Sequence, residues 1–181
     1  MELTGRRILL REFRQHDVRA LLAIHSDPLV LRYYAPEVGT LAHVQTLVEM
    51  FMQWANENPR QNFQFAIVDR ATDALMGSCG VRSKACPPGK AEFGIGIGSG
   101  WWGKGIAQEA AALILGFGFS ELDLQEVYGV AVSENPAVTK FARRLGFNPG
   151  TPRRGEAWMT ERNWSAVHWV ITREAWKQLA G

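Results

Sequence analysis

Residues 91–107 read AEFGIGIGSGWWGKGIA and place an apolar, glycine-spaced segment directly before a glycine-rich turn. The turn, Gly103-Lys104-Gly105, opens into an alanine-rich segment that is long enough for a helix. Glycine adopts backbone conformations that other residues avoid and lets the chain approach a ligand closely. The first N–H groups of a helix have no intrahelical partner. This strand–turn–helix pattern therefore predicts a binding site for a phosphorylated ligand.

Two nucleotide-binding motifs match this stretch in part. Gly98 to Gly103 matches the dinucleotide pattern G-x-G-x-x-G, but Trp101 and Trp102 occupy a turn that small residues normally form. The chain is also short for a cofactor domain plus a substrate domain. Gly98 to Gly105 matches a nucleotide-triphosphate loop except at its last position, where Gly105 replaces the Ser or Thr that binds magnesium. Both interpretations are disfavoured, and a ligand panel separates them from the third.

The third interpretation accounts for more residues. The segment from Trp102 to Ala107, WGKGIA, resembles the acyl-CoA pyrophosphate loop of the GNAT superfamily of N-acetyltransferases, Q/R-x-x-G-x-G/A. Trp102 departs from the usual Gln or Arg, as it does in the Rim-type (ribosomal-protein N-acetyltransferase-like) branch, whose loop precedes a Glu-Ala pair, here Glu109-Ala110. The resemblance covers nearly the whole chain and includes Leu9 to Phe13 with Asp17, Ser133 to Ala137, Leu145 to Phe147 and Arg173 to Trp176.

Composition narrows the class of protein further. The chain has 181 residues, of which 46% are hydrophobic and 21% are charged, which is typical of a globular protein with one domain, residues 1–181. A net charge of +2 without a long Lys/Arg run argues against a nucleic-acid partner. Charges throughout the first segment argue against a signal peptide, and no apolar run reaches the roughly 20 residues that span a bilayer. We therefore expect a cytoplasmic protein with no membrane partner.

Hydrophobic periodicity and turn residues predict the order β-α-α-β-β-β-α-β-α-β-β. Asn135-Pro136 predicts a helix start and Gly146 a helix stop, because Asn caps helices, Pro suits the first position and Gly suits the end. The order predicts an α/β (α+β) fold with a mixed sheet and helices on both faces. The predicted strands are 7–12, 63–68, 75–81, 92–97, 126–132, 157–159 and 165–172, and the predicted helices are 17–25, 40–56, 105–119, 136–145 and one from 173.

The resemblance implies a mostly antiparallel central sheet with one splayed parallel pair of strands. In that family the pantetheine arm of acetyl-CoA lies between the splayed strands and bonds to exposed backbone, here at Ile95 and Ile97. Gly94, Gly96 and Gly98 are compatible with close approach of a ligand. Acetyl-CoA is thus implied as co-substrate. Its expected binding residues are Ile95, Ile97, Trp102, Gly103, Lys104, Gly105, Ile106, Ala107 and Asn135.

Glu92 and Asn135 are the catalytic candidates. Glu92 begins the strand beside the expected cleft, and Glu recurs there in the Rim-type branch, so it is a candidate general base that acts through water. Asn135 is expected to cap its helix and to reach the pantetheine or an ordered water. Val138 stands where the family often has a Ser that protonates the leaving thiolate, so the general acid is not identified.

The implied reaction is direct attack of a primary amine on the acetyl thioester, without a covalent enzyme intermediate. The acceptor is a small molecule or a protein N-terminus, and Tyr33, Tyr34, Trp54 and Trp101 are candidates to line its pocket. The alternative is a non-catalytic acyl-CoA-binding sensor module, which Val138 favours. The cysteines and histidines have no metal-site spacing, so no metal is expected. The sequence is compatible with a homodimer and neither predicts nor excludes one.

Overall fold

The computed structural model, which describes residues 1–180, is built on a nine-stranded sheet. The strands are β1 (Glu2–Thr4), β2 (Ile8–Arg11), β3 (Asn62–Asp69), β4 (Leu75–Arg82), β5 (Lys90–Ile97), β6 (Glu126–Val132), β7 (Asn148–Pro149), β8 (Arg153–Arg154) and β9 (Ser165–Thr172). They lie in the order β1-β2-β3-β4-β5-β6-β9-β7, and β8 also pairs with β9. Only β5 and β6 pair in parallel among the described strands. The predicted mixed, mostly antiparallel sheet is confirmed.

The five predicted helices are confirmed to within one residue at each compared end, two short helices are added, and the helices lie on both faces of the sheet. They are α1 (Asp17–His25), α2 (Pro28–Leu31), α3 (Leu41–Ala55), α4 (Ile106–Ser120), α5 (Pro136–Arg144), α6 (Ala157–Thr160) and α7 (Arg173–Ala180). Two 3₁₀ turns cover Pro36–Gly39 and Ser99–Trp101. Within residues 1–180, no helix combines the length and the apolar character that crossing a bilayer requires.

The central strand β3 is buried on both sides, which explains its nearly continuous apolar sequence. Phe65 and Ile67 pack with α4 on one face, whereas Ala66 and Val68 pack with α1 and α3 on the other. The α4 helix packs against one face of the sheet and buries a broad apolar face in the core there. The sheet therefore separates two compartments, the α4 side and the α1–α3 side.

Side-chain caps explain why two helix starts could be read from the sequence. The Thr40 hydroxyl accepts the His43 N–H at 3.3 Å at the start of α3. The Asn135 carbonyl Oδ1 accepts the Val138 N–H at 3.2 Å at the start of α5. Such caps satisfy donors that have no intrahelical partner.

One local prediction was wrong. Residues 157–159 are the first three residues of the four-residue helix α6 rather than a strand, because the segment makes helical hydrogen bonds: the Thr160 N–H donates to Glu156 O at 3.1 Å. The edge of β9 is taken instead by the short strands β7 and β8. The short helix α2, which the sequence did not predict, follows α1 and is capped by Asp27, whose Oδ1 accepts the Leu29 N–H at 2.9 Å.

A buried ion pair joins the end of β2 to the start of α1. Arg11 and Asp17 are 2% and 3% exposed, and their two parallel hydrogen bonds measure 2.8 Å and 3.0 Å. The hydrogen bond to Asp17 outweighs burial and raises the pKa of Arg11. Asp73, which is half exposed, accepts the Arg11 Nε–H at 2.9 Å. Asp17 therefore supplies the buried countercharge, and Asp73 supplies a solvated one.

We expect Asp17→Asn to lower the free energy of unfolding by roughly 3 kcal/mol, because it leaves a buried guanidinium without its main countercharge. The matched control is Asp73→Asn, which removes an exposed partner of the same guanidinium and should cost less than about 1 kcal/mol. Urea unfolding at pH 7 measures both values. Equal losses of unfolding free energy in the two variants would show that Asp17 is not the main partner of Arg11.

Candidate active site

The parallel strands β5 and β6 separate part of the way along their length. They pair at Lys90–Glu126, Ala91–Val127 and Glu92–Tyr128, and no pairing follows although β5 continues to Ile97. The remainder of β5 is paired only with β4, on its other edge. A gap therefore opens inside the sheet immediately after Glu92.

The backbone of β5 presents unpaired groups to this gap. The Gly98 N–H donates to Met76 O of β4 at 2.8 Å. Because N–H and C=O groups alternate in direction along a strand, those of Ile95 and Ile97 point away from β4, toward the gap. Ile97 O accepts the Trp102 Nε1–H at 2.8 Å, so the half-exposed indole lies at the end of the gap. The two predicted strand residues thus face the opening with their backbone.

The loop that follows β5 aims N–H groups outward. Gly103 and Gly105 have φ angles of 72° and 76°, in the left-handed region that favours glycine. Among residues 1–180, no acceptor is hydrogen-bonded to the backbone N–H groups of residues 103–108. Glu109 is the first whose N–H is paired, to Gly105 O at 3.1 Å. These donors at the start of α4 form a site that suits the oxygens of a phosphate.

Contacts behind the loop hold it in this shape. The Arg7 N–H and Nε–H donate to the Glu109 carboxylate at 2.8 Å and 3.0 Å, and Arg7 Nη1 donates to Lys104 O at 2.7 Å. Although burial opposes the shift, the Arg7 contacts keep the pKa of Glu109 below its usual value. Lys104 Nζ donates to Gly100 O at 2.8 Å, so its charge lies beside the loop. Ile106 is buried in the core, so only its backbone can contact a ligand.

Asn135 lies across the gap from this loop. Since α4 follows β5 and α5 follows β6, both helices begin at the carboxyl ends of the parallel pair, the end at which the strands separate. The Asn135 Oδ1 is engaged by the Val138 N–H, which leaves its side-chain NH₂ for other contacts. The neighbouring hydroxyl of Ser133 is engaged by Glu134 and by the Ser165 N–H.

An open depression of about 760 Å³ runs along the outside of α5. Its lining includes three basic side chains, Lys140, Arg143 and Arg144, which outnumber its one carboxylate, Glu134. Lysine and arginine bind phosphate groups well and repel ammonium groups. The depression therefore suits an anionic part of a ligand that extends from the gap, and it does not suit an amine.

Glu92 lies on the opposite face of the sheet from α4. Its Oε1 is 3.2 Å from Arg82 Nη2, and Arg82 Nη1 donates to Gln64 Oε1 at 2.9 Å. Gly94 makes room for this arrangement, because a Cβ there would lie 3.0 Å from two guanidinium nitrogens. Sequence reasoning missed Arg82, whose position at the end of β4 indicated only a strand terminus. The pair orients the Glu92 carboxylate at the point where the gap begins.

Tyr128 faces Glu92 in the parallel register and was also missed. Its hydroxyl is 3.5 Å from Cys86 Sγ, and this hydrogen bond, together with burial, raises the pKa of Tyr128 to about 12. The phenol therefore stays protonated at neutral pH. The His168 ring stacks on it with centroids 6.2 Å apart. No local sequence pattern marks this cluster, since its members come from a loop and two strands.

The four aromatic candidates for the acceptor pocket separate in the structure. Tyr34 lies over β5, where a Cβ built on Gly96 would be 3.9 Å from its hydroxyl. Tyr34 as a residue is 39% exposed, and burial around its hydroxyl raises its pKa. Tyr33 packs beside Trp164 at 6.0 Å. The other two have packing partners elsewhere, since Trp54 packs on Phe51 and Trp101 packs against the core beside Lys104.

Comparison with known proteins identifies relatives of the chain. Residues 7–148 match the family described as acetyltransferase (GNAT) domain. An uncharacterized N-acetyltransferase, p20 of Bacillus licheniformis, is 30% identical over 142 residues, which cover 78% of this chain and 79% of p20. The spermidine N(1)-acetyltransferase of Escherichia coli (strain K12) is 39% identical over 59 residues, or 33% of this chain and 32% of that protein.

Solved structures share the fold. A GNAT-family acetyltransferase from Bacillus anthracis superposes with a TM-score of 0.80 at 22% identity and covers 96% of this chain and 99% of its own. The ribosomal-protein-S5-alanine acetyltransferase of Vibrio fischeri gives 0.78 at 14% identity, over 97% and 98%. The spermidine N-acetyltransferase of Vibrio cholerae, in complex with CoA and spermine, gives 0.75 at 19% identity, over 94% and 98%.

We expect Gly103→Ala to weaken acetyl-CoA binding by about five- to thirtyfold, because alanine disfavours the left-handed conformation by about 1–2 kcal/mol. A Cβ at Gly103 meets no atom within 4 Å, so the effect is conformational rather than steric. Isothermal titration calorimetry measures the affinity. Gly116→Ala in α4, which also meets nothing within 4 Å, is the control and should leave affinity unchanged. An unaltered affinity in the Gly103 variant would contradict a role for this loop conformation.

Proposed function

Since the chain belongs to the GNAT acetyltransferase family and is an acyltransferase, we propose that it moves the acetyl group of acetyl-CoA to a primary amine by direct attack of the amine on the thioester. The observation that carries the proposal is the opened β5–β6 pair, which ends beside the unpaired N–H groups of residues 103–108. A strand edge and a phosphate site in continuity suit a ligand with a pantetheine arm and a pyrophosphate.

Acetyl-CoA would be held mainly by backbone. The loop from Trp102 to Ala107 supplies N–H donors to the pyrophosphate, with Lys104 as the nearby cation. The exposed edge at Ile95 and Ile97 bonds to the pantetheine arm, and the side-chain NH₂ of Asn135 contacts that arm or a water from the other side of the gap. Ile97 O already accepts the Trp102 indole N–H, so the arm would use the second lone pair of that carbonyl or displace the indole.

The chemistry needs a polarised carbonyl and a neutral amine. The Ile95 N–H points into the gap, where a fixed donor stabilises the negative charge that develops on the thioester oxygen. The amine nitrogen forms a bond to the acetyl carbon, the carbon–sulfur bond breaks, and the CoA thiolate leaves. Glu92 accepts the proton that the amine loses, directly or through water. Arg82 is a positioning residue for this step, because it acts through the Glu92 carboxylate, which it orients.

The acceptor is an amine of a small molecule or of a protein N-terminus. The names of the relatives and neighbours above include spermidine and ribosomal-protein acetyltransferases, and both classes modify amines. An α-amino group has a pKa of about 7.7–8.0, against about 10.4 for lysine. An N-terminal amine therefore needs less help from Glu92 than an alkylamine does.

A non-catalytic sensor that binds acyl-CoA is the second candidate, and Val138 is the observation that favours it. This position has no hydroxyl, and the nearby Thr139 hydroxyl is directed to Asn135 O at 3.4 Å. The thiolate would then take its proton from solvent. A CoA thiol is acidic enough for this, so the absent hydroxyl changes the expected proton source rather than the reaction.

The first test is a thermal-shift panel with acetyl-CoA, CoA, ATP and NAD. A ligand at about 100 times its dissociation constant stabilises the folded state by about 2.7 kcal/mol, which raises Tm measurably. We expect shifts with acetyl-CoA and CoA only. A shift with ATP or NAD alone would replace the acyl-CoA interpretation of the loop with a nucleotide interpretation.

The second test is Glu92→Gln, which removes the base and keeps the side-chain size. We expect kcat to fall at least about 100-fold at pH 7.5, with unchanged acetyl-CoA affinity. With an α-amino acceptor the deficit should narrow at pH 9, because most of that amine, with a pKa of about 7.7–8.0, is then already neutral. A merely structural role would not produce this pH dependence.

The control for that variant is Glu126→Gln. Glu126 is also an ion-paired strand carboxylate, 2.8 Å from Lys90 Nζ, but it lies at the paired end of the sheet, away from the gap. Full activity in Glu92→Gln would exclude the base role. Acetyl-CoA binding without turnover of any amine by the native protein would favour the sensor.

A further inference from the structure

A partly open cavity of about 200 Å³ lies on the α1–α3 side of the sheet. Its floor is formed by β3, β4 and β5, and includes Gly94 and Gly96. Its walls come from α1, α2, α3 and the 3₁₀ turn at Pro36–Gly39. The wall side chains are mainly apolar and include Leu21, Ile24, Val30, Val38, Leu47 and Phe51.

The cavity adjoins the proposed reaction centre through β5. Ile95 lines the cavity and also presents its N–H to the gap. Gly94 and Gly96 leave the floor without side chains at the same place, and the Tyr34 hydroxyl lies above Gly96. A group bound in the cavity would therefore lie across the sheet from α4 and the phosphate loop, next to the carbon that the amine attacks.

The charges around the cavity disfavour a polycation. In the described part of the chain, the lining residues include no Asp or Glu, and the one lining cation with a fixed charge is Arg82. The nearest carboxylate, Glu92, is already paired with Arg82. A second ammonium group entering this space would meet a like charge and apolar walls, and burying an unpaired charge is costly.

The size and polarity of the cavity suit a hydrocarbon group. An apolar cavity of about 150 Å³ holds a benzene molecule, so this one holds about six to eight non-hydrogen atoms. The buried Nδ1 of His25, a lining residue, has no partner within residues 1–180. Burial lowers the pKa of His25 and so keeps the imidazole neutral. A neutral imidazole adds a hydrogen-bonding group to the wall without adding a charge.

We infer that this cavity holds the apolar substituent of the acceptor, so that the substrate is a monoamine with an aliphatic or aromatic group of about six to eight atoms rather than a polyamine. The inference rests on the proposed acetyltransferase function. It assigns the cavity to the acceptor and the opened strand edge to acetyl-CoA, on opposite sides of Ile95.

The test compares acceptors that share one kind of amine. Glycinamide, leucinamide and phenylalaninamide each carry an α-amino group and differ in the apolar side chain, and spermidine represents polyamines. Each buried methylene is worth about fourfold in binding. We expect kcat/KM for leucinamide or phenylalaninamide to exceed that for glycinamide by at least about tenfold, and to exceed that for spermidine.

A cavity-filling variant makes the test specific to this site. Val38→Phe should lower kcat/KM for phenylalaninamide by at least about tenfold and leave that for glycinamide within about twofold, because only the larger side chain needs the space. The matched control is Leu41→Phe on α3, which is half exposed and does not line the cavity. If Val38→Phe fails to fold, Leu47→Ala enlarges the cavity and should shift the preference toward acceptors larger than leucinamide.

The outcomes separate the two proposals. Equal rates for the three amides, or a preference for spermidine, would overturn this inference and leave the acetyltransferase function standing. If Val38→Phe blocks transfer from hexanoyl-CoA but not transfer to phenylalaninamide, the cavity holds the acyl chain and the inference is wrong. If acetyl-CoA binds and no amine is acetylated, the proposed function fails, and the inference fails with it.

Discussion

The separation of β5 and β6 beyond Glu92 and Tyr128 is the constraint on which the rest of the site depends. Backbone N–H and C=O groups inside a sheet are costly to leave unpaired, so such an opening persists only where the surroundings hold it. Phe93, the first residue after the last pair, packs its ring 5.8 Å from that of Phe147 on the α4 side. This contact belongs to the buried core and holds β5 down at the point where pairing ends.

The same separation sets the direction of the two helices that follow the strands. Because β5 and β6 are parallel, α4 and α5 both begin at the open end, where their N-terminal donors lie. The glycines at positions 103 and 105 then let the chain turn into α4 without covering those donors. The separation of β5 and β6 thus places the exposed edge of β5 next to the phosphate site at the start of α4.

The α1–α3 compartment depends on contacts remote from the gap. The buried Arg11–Asp17 pair fixes the first residue of α1 to the end of β2, and the other end of α1 supplies Ile24 and His25 to the cavity wall. Arg162 joins two further segments of the chain. Its Nη1 donates to Arg32 O at 3.0 Å, which links the segment before β9 to the segment after α2. The acceptor side is therefore assembled from chain segments that are far apart in sequence.

The sequence by itself determined the features that local chemistry controls. The glycine-rich turn before α4, the caps at Thr40 and Asn135, and the period of α1 and α3 are each decided by residues within one turn of one another, so the element bounds and the family resemblance could be read directly. Only the tertiary structure decided the rest. The Arg82–Glu92 pair, the Tyr128–Cys86 contact and the cavity each join segments that the sheet brings together, and residues 157–159 became helix because β7 and β8 already occupy the edge of β9. Side-chain partners across a sheet depend on register and on which strands separate, and no local pattern encodes either.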